Sequence, residues 1–174
     1  MCLGQQTGGK GRVGLLAQNG GQSQQIAHQN PPHQGRSMLR NGPGPTVLLM
    51  AGNHGDEYPG QVAILKLWRE LRLADVIGHL ILVPCLNPPA SQAATRLSPL
   101  DGKNFNRCFP GNAAGTPSEM LADYLTTVLF PMADVVIDMH SGGRSAHFLP
   151  CSHMHVVDDP AQRKAMLEAM EAWC

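Results

Sequence analysis

Apolar positions gather into three dense runs: "TVLLMAG" at 46–52, "GHLILVPC" at 78–85 and "ADVVIDMH" at 133–140. Nearly continuous runs of this length predict strands covered on both faces rather than strands with one face in water. Between the first two, "QVAILKLWRELRLA" sets Val62, Leu65, Trp68 and Leu71 at helical spacing. Ahead of the third, Thr116, Pro117 and Glu119 make a capping-box signature that opens a helix through "PSEMLADYLTTVLF". Asp159 and Pro160 open a last helical stretch, "AQRKAMLEAMEAW". Strands alternating with helices predict an α/β fold built on parallel strands.

The rest of the chain is patterned differently. Residues 1–43 are rich in Gly, Gln, Asn and Pro and hold neither periodicity, so little packed structure is expected there, and the packed domain is expected over residues 44–174. After "GHLILVPCLNPP", where Pro88 and Pro89 are expected to end the second strand, a long polar loop runs through "ASQAATRLSPLDGKNFNRCFPGNAAG". Loops of that length inside a domain are usually functional or disordered.

With 174 residues, 43% of them hydrophobic, the chain suits one domain with a real core. Thirteen basic and thirteen acidic residues cancel, so no broad field draws it to nucleic acid or to an anionic membrane, and a small-molecule partner is expected. No apolar run reaches the roughly 20 residues of a membrane span, and the start lacks a signal core, which predicts a cytoplasmic protein. Five scattered cysteines without C-x-x-C spacing predict ordinary reduced thiols.

Candidate chemistry sits at the ends of the runs. In open α/β sheets ligands gather beyond the carboxyl ends of strands, and two of the three runs lead into a histidine, His54 and His140. Glu57 follows His54 by three residues, so two imidazoles and a carboxylate make a three-ligand set for a catalytic zinc with one open position. Asp56 and Asp138 are candidates to hold an imidazole N–H from behind. H-x-x-E alone is common in surface turns; His140 at a second strand end is what raises the metal reading. Arg96, and Arg107 beside Asn106, bring cationic groups to the long loop, suited to a carboxylate or a developing oxyanion. A rival set, Cys151, His153 and His155, would share one face of a strand, although an exposed polar strand explains it as well. Ser141 lies beside His140, but "HSGG" is not a nucleophile elbow.

"GNHGDEYPGQ", "NPPA…TRLSPLDGKNFNRCFPG" and "DMHSGG", in that order, resemble the succinylglutamate desuccinylase/aspartoacylase family of zinc carboxypeptidase-like hydrolases, over about residues 44–158. Within it the likeness is to bacterial N-acetyl-diaminobutyrate deacetylase-like members. The resemblance implies a mixed, largely parallel sheet flanked by helices and one Zn2+ per chain. It makes His54, Glu57 and His140 the zinc ligands, Asn106 and Arg107 the grip on a substrate carboxylate, and Arg96 the group that polarises the scissile carbonyl. The implied reaction is hydrolysis of the amide of an N-acetyl or N-succinyl amino acid, with a peptide carboxypeptidase as a neighbouring variant. Members of the family use a glutamate base that comes well after the third zinc ligand. Here Glu168 and Glu171 lie on an expected amphipathic helix and Glu119 in a cap. The chain is therefore expected to be a C-terminally incomplete fragment, and a zinc-binding, non-catalytic protein is the alternative.

Overall fold

The three apolar runs lie side by side at the centre of the sheet. The computed structural model describes residues 2–4 and 37–173. In chain order its elements are β1 Cys2–Gly4, β2 Ser37–Asn41, β3 Thr46–Ala51, α1 Tyr58–Glu70, β4 Gly78–Val83, α2 Pro88–Ala93, α3 Pro117–Tyr124, β5 Val135–Met139, β6 His153–Met154 and α4 Pro160–Trp173. The sheet order is β2-β4-β3-β5-β1-β6. β3 runs parallel to both β4 and β5, while β2 is antiparallel to β4 and β1 antiparallel to β5. This is the mixed α/β sheet flanked by helices that the sequence predicts.

Side-chain alternation explains the unbroken apolar runs. Leu48, Ile81 and Val136 point to one face, where they meet Phe105, Leu125 and Leu129. Leu49, Leu82 and Ile137 point to the other, against Ile64 of α1 and, at the margin, Met170 of α4. Each fully buried aliphatic side chain stabilises the fold by about 1.5–3 kcal/mol, and both faces stay apolar along β5 until Asp138, a buried carboxylate next to its end. α3 continues without a break through Leu125–Leu129 and Phe130–Met132, keeping Leu125 and Leu129 in the first of these layers.

The connections set the place of the site. From β3 the chain crosses to β4 through α1, packed on one face; from β4 it reaches β5, on the opposite side of β3, through α3 on the other face. The carboxyl end of β3 is therefore a topological switch point, where two crossovers part and leave a crevice.

The structure departs from the sequence reading in the unpatterned segment and at the proline pair. The unpatterned segment is expected to run to residue 43, yet β1 and β2 lie inside it, β1 pairing with β5 and β2 with all of Gly78–Leu82; residues 5–36 of that segment fall outside the described residues. The proline pair at 88–89 does not simply end a strand: it occupies the first turn of α2, whose Asn87 Oδ1 accepts the Ala90 N–H at 3.2 Å. Proline suits that position because its missing N–H would be unpaired there in any case.

Candidate metal centre

β3 and β5 end in register, Ala51 opposite Met139, so the turns that follow them emerge together. In the first turn the Glu57 N–H donates to the His54 carbonyl (3.3 Å) and the Gly55 N–H to the Thr95 carbonyl (3.0 Å). Gly55 admits no side chain, because a Cβ there would lie 1.9 Å from the Ala90 carbonyl carbon. Glu57 is the residue that leads into α1, and a proline in the first helical turn fixes the start of that helix.

His54, Glu57 and His140 converge: one ligand atom from each lies within 4.8 Å of the others. His54 Nδ1 is 2.8 Å from Glu57 Oε1, and His140 Nδ1 is 2.8 Å from Glu57 Oε2. The side chains of His54 and Glu57 are only 2% and 3% exposed, which removes water as a competing partner. The Ser141 N–H adds a bond to Glu57 Oε2 at 3.0 Å, and Arg96 Nη1 one to Glu57 Oε1 at 3.1 Å.

The far side of each ring is held as well. Asn104 Oδ1 accepts from His54 Nε2 at 3.0 Å, and Asp138 Oδ2 accepts from His140 Nε2 at 2.9 Å. Asn53 Nδ2 donates to the same Asp138 oxygen at 3.1 Å. An imidazole that donates through Nε2 presents Nδ1 to its other neighbour, so both rings are oriented with Nδ1 toward the shared carboxylate.

Charge follows from this wiring. Burial pushes the Glu57 carboxyl up, but hydrogen bonds from His140, His54 and the Ser141 N–H outweigh it and hold the group well below the usual carboxylate range. Burial lowers His140, yet Asp138 and then Glu57 more than reverse that and raise it to about 9. A proton on His140 and a cation between the two rings stabilise the same arrangement, which is what a donor set of two imidazoles and a carboxylate offers to a metal.

Of the residues singled out in the sequence, the structure brings Arg96 onto Glu57. Arg107 is exposed, with Nη1 donating to the Asn106 carbonyl at 3.2 Å, and the Asn106 N–H donates to Asn104 Oδ1 at 3.2 Å. Among the described residues, His54, Glu57 and His140 are the one metal-competent set, and Cys151, His153 and His155 are exposed and do not form a second. Of the other glutamates, Glu119 pairs with Lys103 at 2.6 Å and Glu168 with Lys164. A cavity of about 760 Å³ opens beside His140, walled by Ser141, His147, Phe148 and Trp173. Asn104 and Asn53 were not anticipated; nothing in their local sequence separates them from other loop asparagines.

Two histidines, one of them buried, and a buried glutamate converging beyond the carboxyl ends of parallel strands make a metal-competent centre on an α/β scaffold. The chain belongs to the succinylglutamate desuccinylase/aspartoacylase family, whose catalytic domain matches residues 43–173. It is 50% identical over 137 residues to an N-alpha-acetyl-L-2,4-diaminobutyric acid deacetylase of Halomonas elongata, covering 79% of this chain and 40% of that protein. Among solved structures it resembles the product-bound ectoine utilization protein EutE (DoeB) of Ruegeria pomeroyi, at 46% identity and a TM-score of 0.74, over 79% of this chain and 42% of that one. An aspartoacylase family protein of Mesorhizobium loti is 36% identical with a TM-score of 0.72, over 79% and 44% of the two chains. The chain thus spans about two fifths of the length of the curated relative it matches.

Proposed function

We propose that this domain belongs to a zinc-dependent hydrolase that cleaves the amide of an N-acyl amino acid, releasing a carboxylate and the free amino acid. The observation that carries the reading is the convergence of His54, Glu57 and His140 with both Nε2 atoms held from behind. The donor set fits Zn2+, for which two imidazoles and a carboxylate with an open position are a common catalytic arrangement. Bound there, the ion would polarise an acyl carbonyl and acidify water.

The chain's own residues supply the rest. Arg96, hydrogen-bonded to Glu57 at 3.1 Å, would bring its guanidinium to charge developing on the carbonyl oxygen. Arg107 and Asn106 offer a planar cationic fork and an amide to the substrate's carboxylate. Asp138 and Asn104 keep the imidazoles oriented. The acetylated diaminobutyrate deacetylated by the Halomonas relative, as its name states, is the first substrate to try. Cys85, Cys108 and Cys151 are free thiols, as the proposed cytoplasmic setting requires.

One observation favours a second reading, metal binding without turnover. The carboxylates nearest the centre each accept already, Glu57 from both histidines, Asp138 Oδ2 from His140 and Asn53, and Asp56 Oδ2 from the Arg144 N–H, while the remaining oxygens of Asp56 and Asp138 are buried. A proton acceptor for water must be found for hydrolysis to proceed. Acetate release from N-acetyl-L-2,4-diaminobutyrate by the zinc-loaded chain separates the two. The hydrolase reading expects release that a chelator abolishes and that Arg107→Ala weakens chiefly through KM. Full zinc occupancy with no release from any N-acyl amino acid would leave the second reading standing.

A further inference from the structure

We propose that Asp56 is a positioning residue, tying the turn after His140 to the turn that carries His54 and Glu57 and so setting how the two histidines face each other. The proposal rests on the metal reading of that centre. Asp56 lies between two donors in sequence, yet the converging set excludes it. Its carboxylate reaches across to the other turn, where Oδ2 accepts the Arg144 N–H at 3.3 Å across 88 residues of chain.

The packing at that contact is close. Gly143, at φ +56°, brings bare backbone against the carboxylate: a Cβ there would lie 2.5 Å from Oδ2 and 2.9 Å from Cγ of Asp56. Arg144 Nη1 also donates to the Ala94 carbonyl at 3.4 Å, beside Thr95, whose own carbonyl receives the Gly55 N–H. The two turns and the end of α2 therefore close a ring of contacts around the centre.

That ring is needed because the sheet stops short. The last paired residues of β3 and β5 are Ala51 and Met139, so no ladder bond fixes His54 against His140. Past that pair, Ser141 N–H to Glu57 and Arg144 N–H to Asp56 are backbone links between the turns. A charged acceptor makes the second link stronger than a neutral one would. Asp56 Oδ1 is buried with no hydrogen-bond partner among the described residues, a cost that an aspartate turned to solvent would not carry.

The test is titration of Co2+ alone into the purified chain, followed by its visible absorption, for the parent, Asp56→Asn, Asp56→Ala and Gly143→Ala. Partners that orient metal ligands typically change affinity by about 10- to 100-fold, and Asp56→Ala is expected to fall in that range with an altered band. Asp56→Asn, whose amide oxygen still accepts the Arg144 N–H, is expected to bind near the parental value. Should Asp56→Ala not fold, Gly143→Ala carries the same question, since its methyl group meets the carboxylate. Parental affinity and band in both Asp56→Ala and Gly143→Ala would overturn the positioning role while leaving the metal reading intact. Failure of all four proteins to bind Co2+ would overturn the metal reading and this one with it.

Discussion

Gly55→Ala tests whether the metal turn is set by backbone packing against α2. The added methyl carbon would sit 1.9 Å from the Ala90 carbonyl carbon, 2.1 Å from its oxygen and 2.3 Å from the Ser91 nitrogen. Real contacts of this kind stay above 3.0 Å, so the turn must retreat by at least about 1 Å from a rigid partner. Overpacking of a buried site costs about 1–3 kcal/mol, and loss of the bond from the Gly55 N–H to the Thr95 carbonyl adds about 1 kcal/mol, so about 2–4 kcal/mol is expected in all. His54 is joined directly to Gly55 and moves with it. Metal sites hold their distances within about 0.2 Å, so a shift of this size should cost zinc affinity at least about tenfold. Urea denaturation of the metal-free proteins reads the first effect, and competition with a chromogenic chelator reads the second. A Gly55→Ala protein with parental stability and parental zinc affinity would refute the reasoning.

Asn104→Ala removes the acceptor behind His54 and should weaken zinc by about 10- to 100-fold, whereas Asn104→Asp should bind near the parent; the same chelator competition checks both. Phe105→Ala, at a fully buried ring packed 5.3 Å from that of Phe109, should lose about 3–5 kcal/mol in urea denaturation. Burial pushes the Asp101 carboxyl up, but the Ser118 and Lys103 N–H groups and the Ser118 hydroxyl hold it down, at about 2 against the usual 3.8. A depressed acid stabilises the fold above its unfolded value and loses that stabilisation as pH falls through the folded one. The parent should therefore lose about 1 kcal/mol between pH 4 and pH 2 that Asp101→Asn does not lose, after discounting for solvent, as pH-dependent denaturation would show.

What could be read from the chain alone follows from how far each interaction reaches. β3, β4 and β5 were legible because burial on both faces writes the whole strand in apolar residues, and α3 because Thr116 and Glu119 sit three apart, with the Glu119 carboxylate accepting the Thr116 N–H at 2.8 Å. β2 was not legible: between Met38 and Asn41 Leu39 alone is deeply buried, too little to form a pattern. α2 was hidden because a proline pair reads as a terminator unless the Asn87 cap before it is weighed as well. His54, Glu57 and His140 stood out through their place at strand ends. Asn104 did not, since its bond to His54 depends on a loop closing across 50 residues. Asp56 likewise gains a role only when the turn after β5 folds back onto it.

The most direct test of the account is zinc per chain, by elemental analysis of the purified protein beside a His54→Ala, His140→Ala double variant. About one zinc in the parent and none in the double variant is the expected result. Equal zinc in the two proteins, or none in either, would contradict a metal centre held between the ends of β3 and β5.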